Sequence, residues 1–174
     1  GAGLYVAVQG KGSVTKTYAT SPDGINWTKR ELPLLLDASN VVFINNKFFI
    51  TAKGTNVLLY SSDGFTWTTS VLPKISDWMD IAFGVNEYLI ISATSPLAPA
   101  YKSTDLISWT GEVVNSYATS DLFDLTSICY GGPAGFVAIS KSYDRLLTRN
   151  IVISTTGSTY SPPIVGVPSS VVIG

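Results

Sequence analysis

Histidine is absent from the 174-residue chain, and cysteine occurs once, at Cys129. The first absence removes the commonest general base and metal ligand, and with them every Ser-His or Cys-His nucleophile arrangement. The second rules out an internal disulfide framework and leaves the redox compartment open. Charge is scarce as well: 13% of residues are charged, with eleven Lys plus Arg against twelve Asp plus Glu. The basic residues are scattered singly, so no stripe tracks a phosphate backbone and nucleic acid is not an expected partner. No apolar run approaches the roughly eighteen residues of a membrane-spanning helix, so membrane insertion is not expected either. No stretch carries a 3.6-residue apolar period, which argues against helices. The chain opens on Gly-Ala-Gly, with neither Met nor a charged segment followed by an apolar one, and reads as a processed product or an excerpt.

What is present is a repeated phrase. "SPDGINWT" at 21–28 returns as "SSDGFTWT" at 61–68, then more faintly as "STDLISW" at 103–109 and "STTGSTY" at 154–160. The copies start 40, 42 and 51 residues apart, within the range of solenoid and propeller units. An aromatic ring closes each one. The shared positions are Ser21, Asp23, Gly24 and Trp27; Ser61, Asp63, Gly64 and Trp67; Ser103, Asp105 and Trp109; Ser154, Gly157 and Tyr160.

The phrase has the chemistry of a hairpin turn. Glycine accepts positive φ, the carboxylate accepts turn amide hydrogens, and the serine hydroxyl serves the same turn. Leu106 and Thr156 interrupt the pattern, so the third and fourth turns are expected to differ in build. The closing rings are expected to be equivalent, each buried beside its own hairpin.

A strand precedes each phrase, and before it lies an apolar hairpin: "VVFINNKFFIT" at 41–51, "IAFGVNEYLII" at 81–91 and "ICYGGPAGFVAI" at 128–139. Every unit therefore reads as strands A, B, C and D, the plan of a four-stranded propeller blade. The expected fold is all-β, a single small propeller of about four antiparallel blades. Blade 1 spans 1–32 plus 169–174, blade 2 spans 38–72, blade 3 spans 78–113 and blade 4 spans 124–163. "SSVVIG" at 169–174 supplies the strand A that "LYVAV" at 4–8 lacks, with Val172 standing where Val42, Ile81 and Ile128 stand. Closure of this kind hides sheet edges that would otherwise invite aggregation.

The phrase resembles the Asp-box (BNR-type) repeat, Ser-x-Asp-x-Gly-x-x-Trp, in a form one residue shorter. Such repeats occur in sialidases, other secreted glycosidases, sugar-binding and assembly propellers, and phage tail proteins. The resemblance implies that the box is a folding element between the third and fourth strands, and that Asp23, Asp63 and Asp105 are structural. A sialidase site would need three arginines from different blades and an Arg-Ile-Pro motif near the start. Only Arg30, Arg145 and Arg149 exist, none precedes Ile-Pro, and the last two share a loop.

Binding residues are expected on the face formed by the B–C and D–A loops, since loops on a rigid scaffold concentrate them. The extra chain length lies in "GEVVNSYATSDLF" (111–123) and "SKSYDRLLTRN" (140–150). These segments carry Tyr117, Asp121, Tyr143, Asp144, Arg145 and Arg149, with Trp78 expected nearby. An aromatic ring beside carboxylate and guanidinium groups suits a sugar; alternatively, Tyr143 and Trp78 only cap the blade core. Asp77, Asp80, Asp121 and Asp124 are candidates for a glycosidase acid pair, or else ordinary loop and turn residues. Cys129 reads as a buried small apolar residue, and the Asn26-Trp27-Thr28 sequon as coincidence.

The resulting expectation is a non-catalytic recognition domain, extracellular or on a virion surface, of the phage tail fibre or tail-tip type. Its partners are a cell-surface glycan or surface receptor and other chains of a larger assembly, with no metal or cofactor. The alternatives are a glycoside hydrolase fragment and a purely structural assembly propeller.

Overall fold

The computed structural model describes residues 1–10, 12–93, 99–113, 124–132, 135–141, 151–154 and 160–161. Among them the chain is all-β, with antiparallel sheets and no helix. Fourteen strands follow one another. They are β1 (Tyr5–Val8), β2 (Thr15–Ser21), β3 (Thr28–Ile44), β4 (Lys47–Lys53), β5 (Thr55–Ser61), β6 (Thr68–Ser76) and β7 (Trp78–Gly84). After these come β8 (Glu87–Ser92), β9 (Pro99–Ser103), β10 (Thr110–Val113), β11 (Asp124–Tyr130), β12 (Phe136–Lys141), β13 (Ile151–Ser154) and β14 (Tyr160–Ser161). Strands β7 to β10 form one four-stranded meander and β11 to β14 another.

The first two units are joined more intimately than the sequence boundaries at 32 and 38 imply. Strand β3 runs unbroken for 17 residues. Its first part pairs with β2 and its second with β4, so β1 to β6 make one six-stranded sheet. Pro33 sits in the first part, where β3 is the outer strand of its unit and a missing N–H costs no ladder bond.

The hairpins between first and second strands show why their residues were chosen. Asn45 and Asn46 take φ of 44° and 56°, and Val85 and Asn86 take 51° and 60°. These are the doubly left-handed turns that match strand twist. Val41 pairs with Ile50 as Ile81 pairs with Ile90. The residue equivalent to Ile81 and Ile128 is therefore Val41, four places before its turn, and the expected equivalence of Val42 was one residue out.

The core lies between units. Tyr18, Leu32 and Leu36 of the first pack with Ala38, Ile50 and Leu59 of the second. Phe49, Leu58 and Leu72 of the second pack with Trp78, Ile81 and Ile90 of the third. Ala82, Leu89 and Ile91 of the third pack with Leu125, Ile128 and Phe136 of the fourth. Each large side chain buried this way contributes roughly 1.5–3 kcal/mol. Three stacked interfaces of one composition give a propeller-like arrangement. No described sheet is closed, and the expected closing strand, 169–174, lies outside the described residues.

Candidate functional site

Three of the four repeated turns are described in full, and they are built alike. Ser21 Oγ accepts from Gly24 N at 2.8 Å and donates to Asp23 Oδ1 at 2.8 Å. That oxygen also accepts from Ile25 N and Asn26 N, both at 2.8 Å. Ser61 and Asp63 repeat the set with Gly64, Phe65 and Thr66. Ser103 and Asp105 repeat it with Leu106, Ile107 and Ser108. The third turn is thus not differently built, contrary to expectation. Leu106 adopts the φ of 64° that Gly24 and Gly64 reach at 76°, and its side chain is 4% exposed between units. At Gly64 an added Cβ would lie 2.6 Å from a terminal methyl of Leu4, so that side chain would have to move aside.

Amide donors set the electrostatics of these turns. Asp23 is held well below the ordinary carboxylate range, chiefly by the Asn26 amide, and Asp63 likewise by that of Thr66. Asp105 is lowered to about 2, chiefly by the Ser108 amide. A carboxylate whose acceptor capacity is spent on its own backbone is turn scaffolding. Asn26 joins it, donating to Asp23 Oδ2 at 2.8 Å.

A second set of aspartates sits at the opposite ends of the strands. Asp37 Oδ1 accepts from Gly12 N, and Asp77 Oδ1 from Gly54 N, both at 2.9 Å. Each ties the start of one unit to the B–C turn of the unit before it. Their 40-residue spacing equals that of Asp23 and Asp63, a signal the turn phrase overshadowed.

Asp80 occupies the middle of the molecule. It is 5% exposed and accepts from donors in three successive units. Asn40 Nδ2 and Ile81 N reach Oδ1 at 3.0 and 2.9 Å, while Ser127 Oγ and Ile128 N reach Oδ2 at 2.9 and 3.0 Å. Asn40, Asp80 and Ser127 hold one repeat position, each just past the bulge of its strand. Burial raises the Asp80 pKa, against the lowering effect of these bonds. With four donors on two oxygens, this carboxylate is saturated as a clasp. Neither Asp77 nor Asp80 stands free as the catalytic acid considered from sequence, and the side chains of Asp121 and Asp124 lie outside the described residues.

Trp78 is corrected from a sugar platform to a core residue. It is 0% exposed, its indole donates to Thr55 O at 2.9 Å, and its ring meets Tyr101 edge-on at 5.7 Å. The residue starts β7, where the bulge before Asp80 turns it toward the preceding unit. Tyr117, Asp121, Tyr143, Asp144, Arg145 and Arg149 all lie outside the described residues. Of the residues that flank their segments, 114–123 and 142–150, Asp124 and Lys141 are described, and they are paired neighbours.

The closing rings are not equivalent. Trp67 meets Tyr18 of the unit before it at 5.7 Å, and Trp109 donates to Ser70 Oγ of the unit before it at 2.9 Å. Trp27 is 46% exposed and donates to its own turn at Gly24 O. The ring packs on a preceding unit rather than on its own hairpin. Of Ser154 and Tyr160 only the strand pairing is described, and Gly157 lies outside. Cys129 is exposed rather than buried, because Ile128 takes the side of β11 that faces the third unit.

No family model matches the sequence, and no curated protein matches it. Among solved structures the chain is similar to one described as "Streptogramin B lyase structure", with a TM-score of 0.64 and 11% sequence identity. The likeness covers 91% of this chain and 58% of that one, so the chain spans less than two thirds of that structure's length. The expectation of a chain that is not an enzyme is corrected here. A protein of this architecture is described as a lyase, so the architecture gives no ground for excluding catalysis. At 11% identity the likeness is equally no evidence of lyase activity in this chain; it shows a β-propeller-like all-β fold.

Proposed function

We propose that this chain is a recognition domain of the Asp-box type, displayed on a virion or cell surface. It binds glycan through the loops of its B–C and D–A face, on a propeller of four four-stranded blades. The observation that carries the reading is the pairing of Asp124 with Lys141. In the sequence these two paired residues adjoin the two insertions, 114–123 and 142–150. Together they hold Tyr117, Tyr143, Asp121, Asp144, Arg145 and Arg149. Rings cover the apolar face of a sugar, and carboxylate and guanidinium groups take its hydroxyls. The opposite face supports the assignment by exclusion, because the carboxylates of its described turns are spent on backbone amides.

A glycan array probed with the wild type and with a Tyr143→Ala/Arg145→Ala variant tests the reading. The variant is expected to keep its melting temperature and lose binding by tenfold or more. Binding unchanged in that variant, or no glycan bound by the wild type, would sink it.

A further inference from the structure

The seam between the first and second units departs from the next one at a cost to the fold. Between the second and third units, Ser70 Oγ donates to Leu106 O and accepts from the Trp109 indole at 2.9 Å. Arg30 follows Trp27 by three residues, as Ser70 follows Trp67, and a guanidinium has only donors to offer. Gly64 O, the counterpart of Leu106 O, accepts from Tyr18 Oη at 3.2 Å instead, and the buried Trp67 indole nitrogen has no partner. A buried donor left in this way destabilises a fold, and serine is the remedy that the neighbouring seam uses.

Arg30 is nonetheless held in one pose. Its Nε donates at 2.7 Å to the hydroxyl of Thr20, which is 2% exposed. Its guanidinium carbon lies 4.5 Å from the centroid of the Phe65 ring. Thr20 belongs to the first unit and Phe65 to the second, so the side chain bridges the seam. Asp63, in the turn of Phe65, directs Oδ1 at the amides of Phe65 and Thr66, and no carboxylate pairs with Arg30 among the described residues. An arginine fixed at Nε and stacked on a ring presents its two Nη groups end-on, a geometry that takes a carboxylate through two parallel bonds. Phe65 is 47% exposed, so part of its ring is open to a further apolar contact. Thr28, two residues before Arg30 and so on the same side of β3, is exposed and offers a hydroxyl.

We propose that Arg30, Phe65 and Thr28 form a binding site for an acidic sugar of the uronate class at this seam. The Nη pair takes the carboxylate, the open part of the Phe65 ring takes the apolar flank of the sugar, and Thr28 takes a hydroxyl. The site uses no residue of segments 114–123 and 142–150, so its failure leaves the glycan reading of those loops standing.

The test is a nuclear magnetic resonance titration of the full 174-residue chain with sodium glucuronate, sodium acetate and glucose at constant ionic strength. It is read at the Arg30 Nε–H and the Phe65 amide. Glucuronate is expected to give saturable shifts, acetate to bind at least tenfold more weakly, and glucose to give no shift. Arg30→Ser installs the residue of the neighbouring seam, so the variant is expected to keep or raise the melting temperature while glucuronate binding falls at least tenfold. Arg30→Lys retains the charge without the fork and is expected to lose binding equally; it decides alone if Arg30→Ser does not fold. Phe65 amide shifts that survive in a folded variant overturn the proposal, as does a wild type without saturable shifts. Acetate binding as tightly as glucuronate overturns it too, since that is charge pairing without a sugar, and so do equal shifts from glucose.

Discussion

Val85 holds a φ of 51° with a side chain branched at Cβ. The left-handed region costs an L-residue roughly 1–2 kcal/mol, and branching adds crowding that asparagine avoids. Its counterpart Asn45 fills the same turn position without that crowding, and Val85 is 62% exposed, so little burial offsets its strain. Val85→Asn is therefore expected to stabilise the fold by about 1 kcal/mol, read as a higher urea midpoint at unchanged slope. A lower midpoint would show that the valine makes a contact worth more than its strain. Leu106 carries similar strain at 64° but buries its side chain between units, so glycine there offers no comparable gain.

Strand β6 illustrates how one side chain serves two units. Ser70 Oγ donates to Leu106 O of the next turn and accepts the indole hydrogen of Trp109. The equivalent position on β3 is Arg30, which has no acceptor to offer. It bonds Thr20 and lies over the Phe65 ring at 4.5 Å instead, and the buried Trp67 indole is left without a partner. Ser70→Ala orphans both Leu106 O and the Trp109 indole. The expected cost is about 1–3 kcal/mol in a denaturant series, the range for buried polar groups deprived of partners. A loss below about 0.5 kcal/mol would mean that these bonds contribute nothing net.

Over the whole molecule, two classes of carboxylate pull the pH dependence in opposite directions. Asp23, Asp63 and Asp105 have lowered folded-state pKa values. Their stabilisation is present above the unfolded value of 3.8 and is lost as pH falls through the folded values. Asp80 is raised by burial, so its ionisation weakens the fold as pH rises from the unfolded value through the folded one. The Asp80 effect runs upward in pH from the unfolded value and those of the turns downward, so the melting temperature is expected to fall steadily between pH 4 and about 2. Asp63→Asn should start below the wild type at neutral pH and close on it as the acid limb is descended. Two curves that stay parallel to the lowest pH would show that Asp63 ionisation is not linked to folding.

The strand content, the forty-residue period and the turn phrase were legible in the sequence, because the interactions that make them span three or four residues. Ser61, Asp63 and the amides of Gly64 to Thr66 assemble whatever surrounds them. Leu32-Pro33 and Leu72-Pro73, like Asp37 and Asp77, repeat at the same interval and were equally open to reading. Burial was not legible, because it is a relation between units. Trp27 and Trp67 share a phrase, yet Trp67 has a preceding unit to pack against and Trp27 has none among the described residues. Trp78 turned inward because a bulge rotates the start of β7, and Cys129 outward because its neighbour Ile128 took the covered side. Asp80 looked like any loop acid until Asn40 and Ser127, 40 and 47 residues away in sequence, were brought to its two oxygens. Local hydrogen bonding is written in short motifs; which faces meet is decided only when the blades stack.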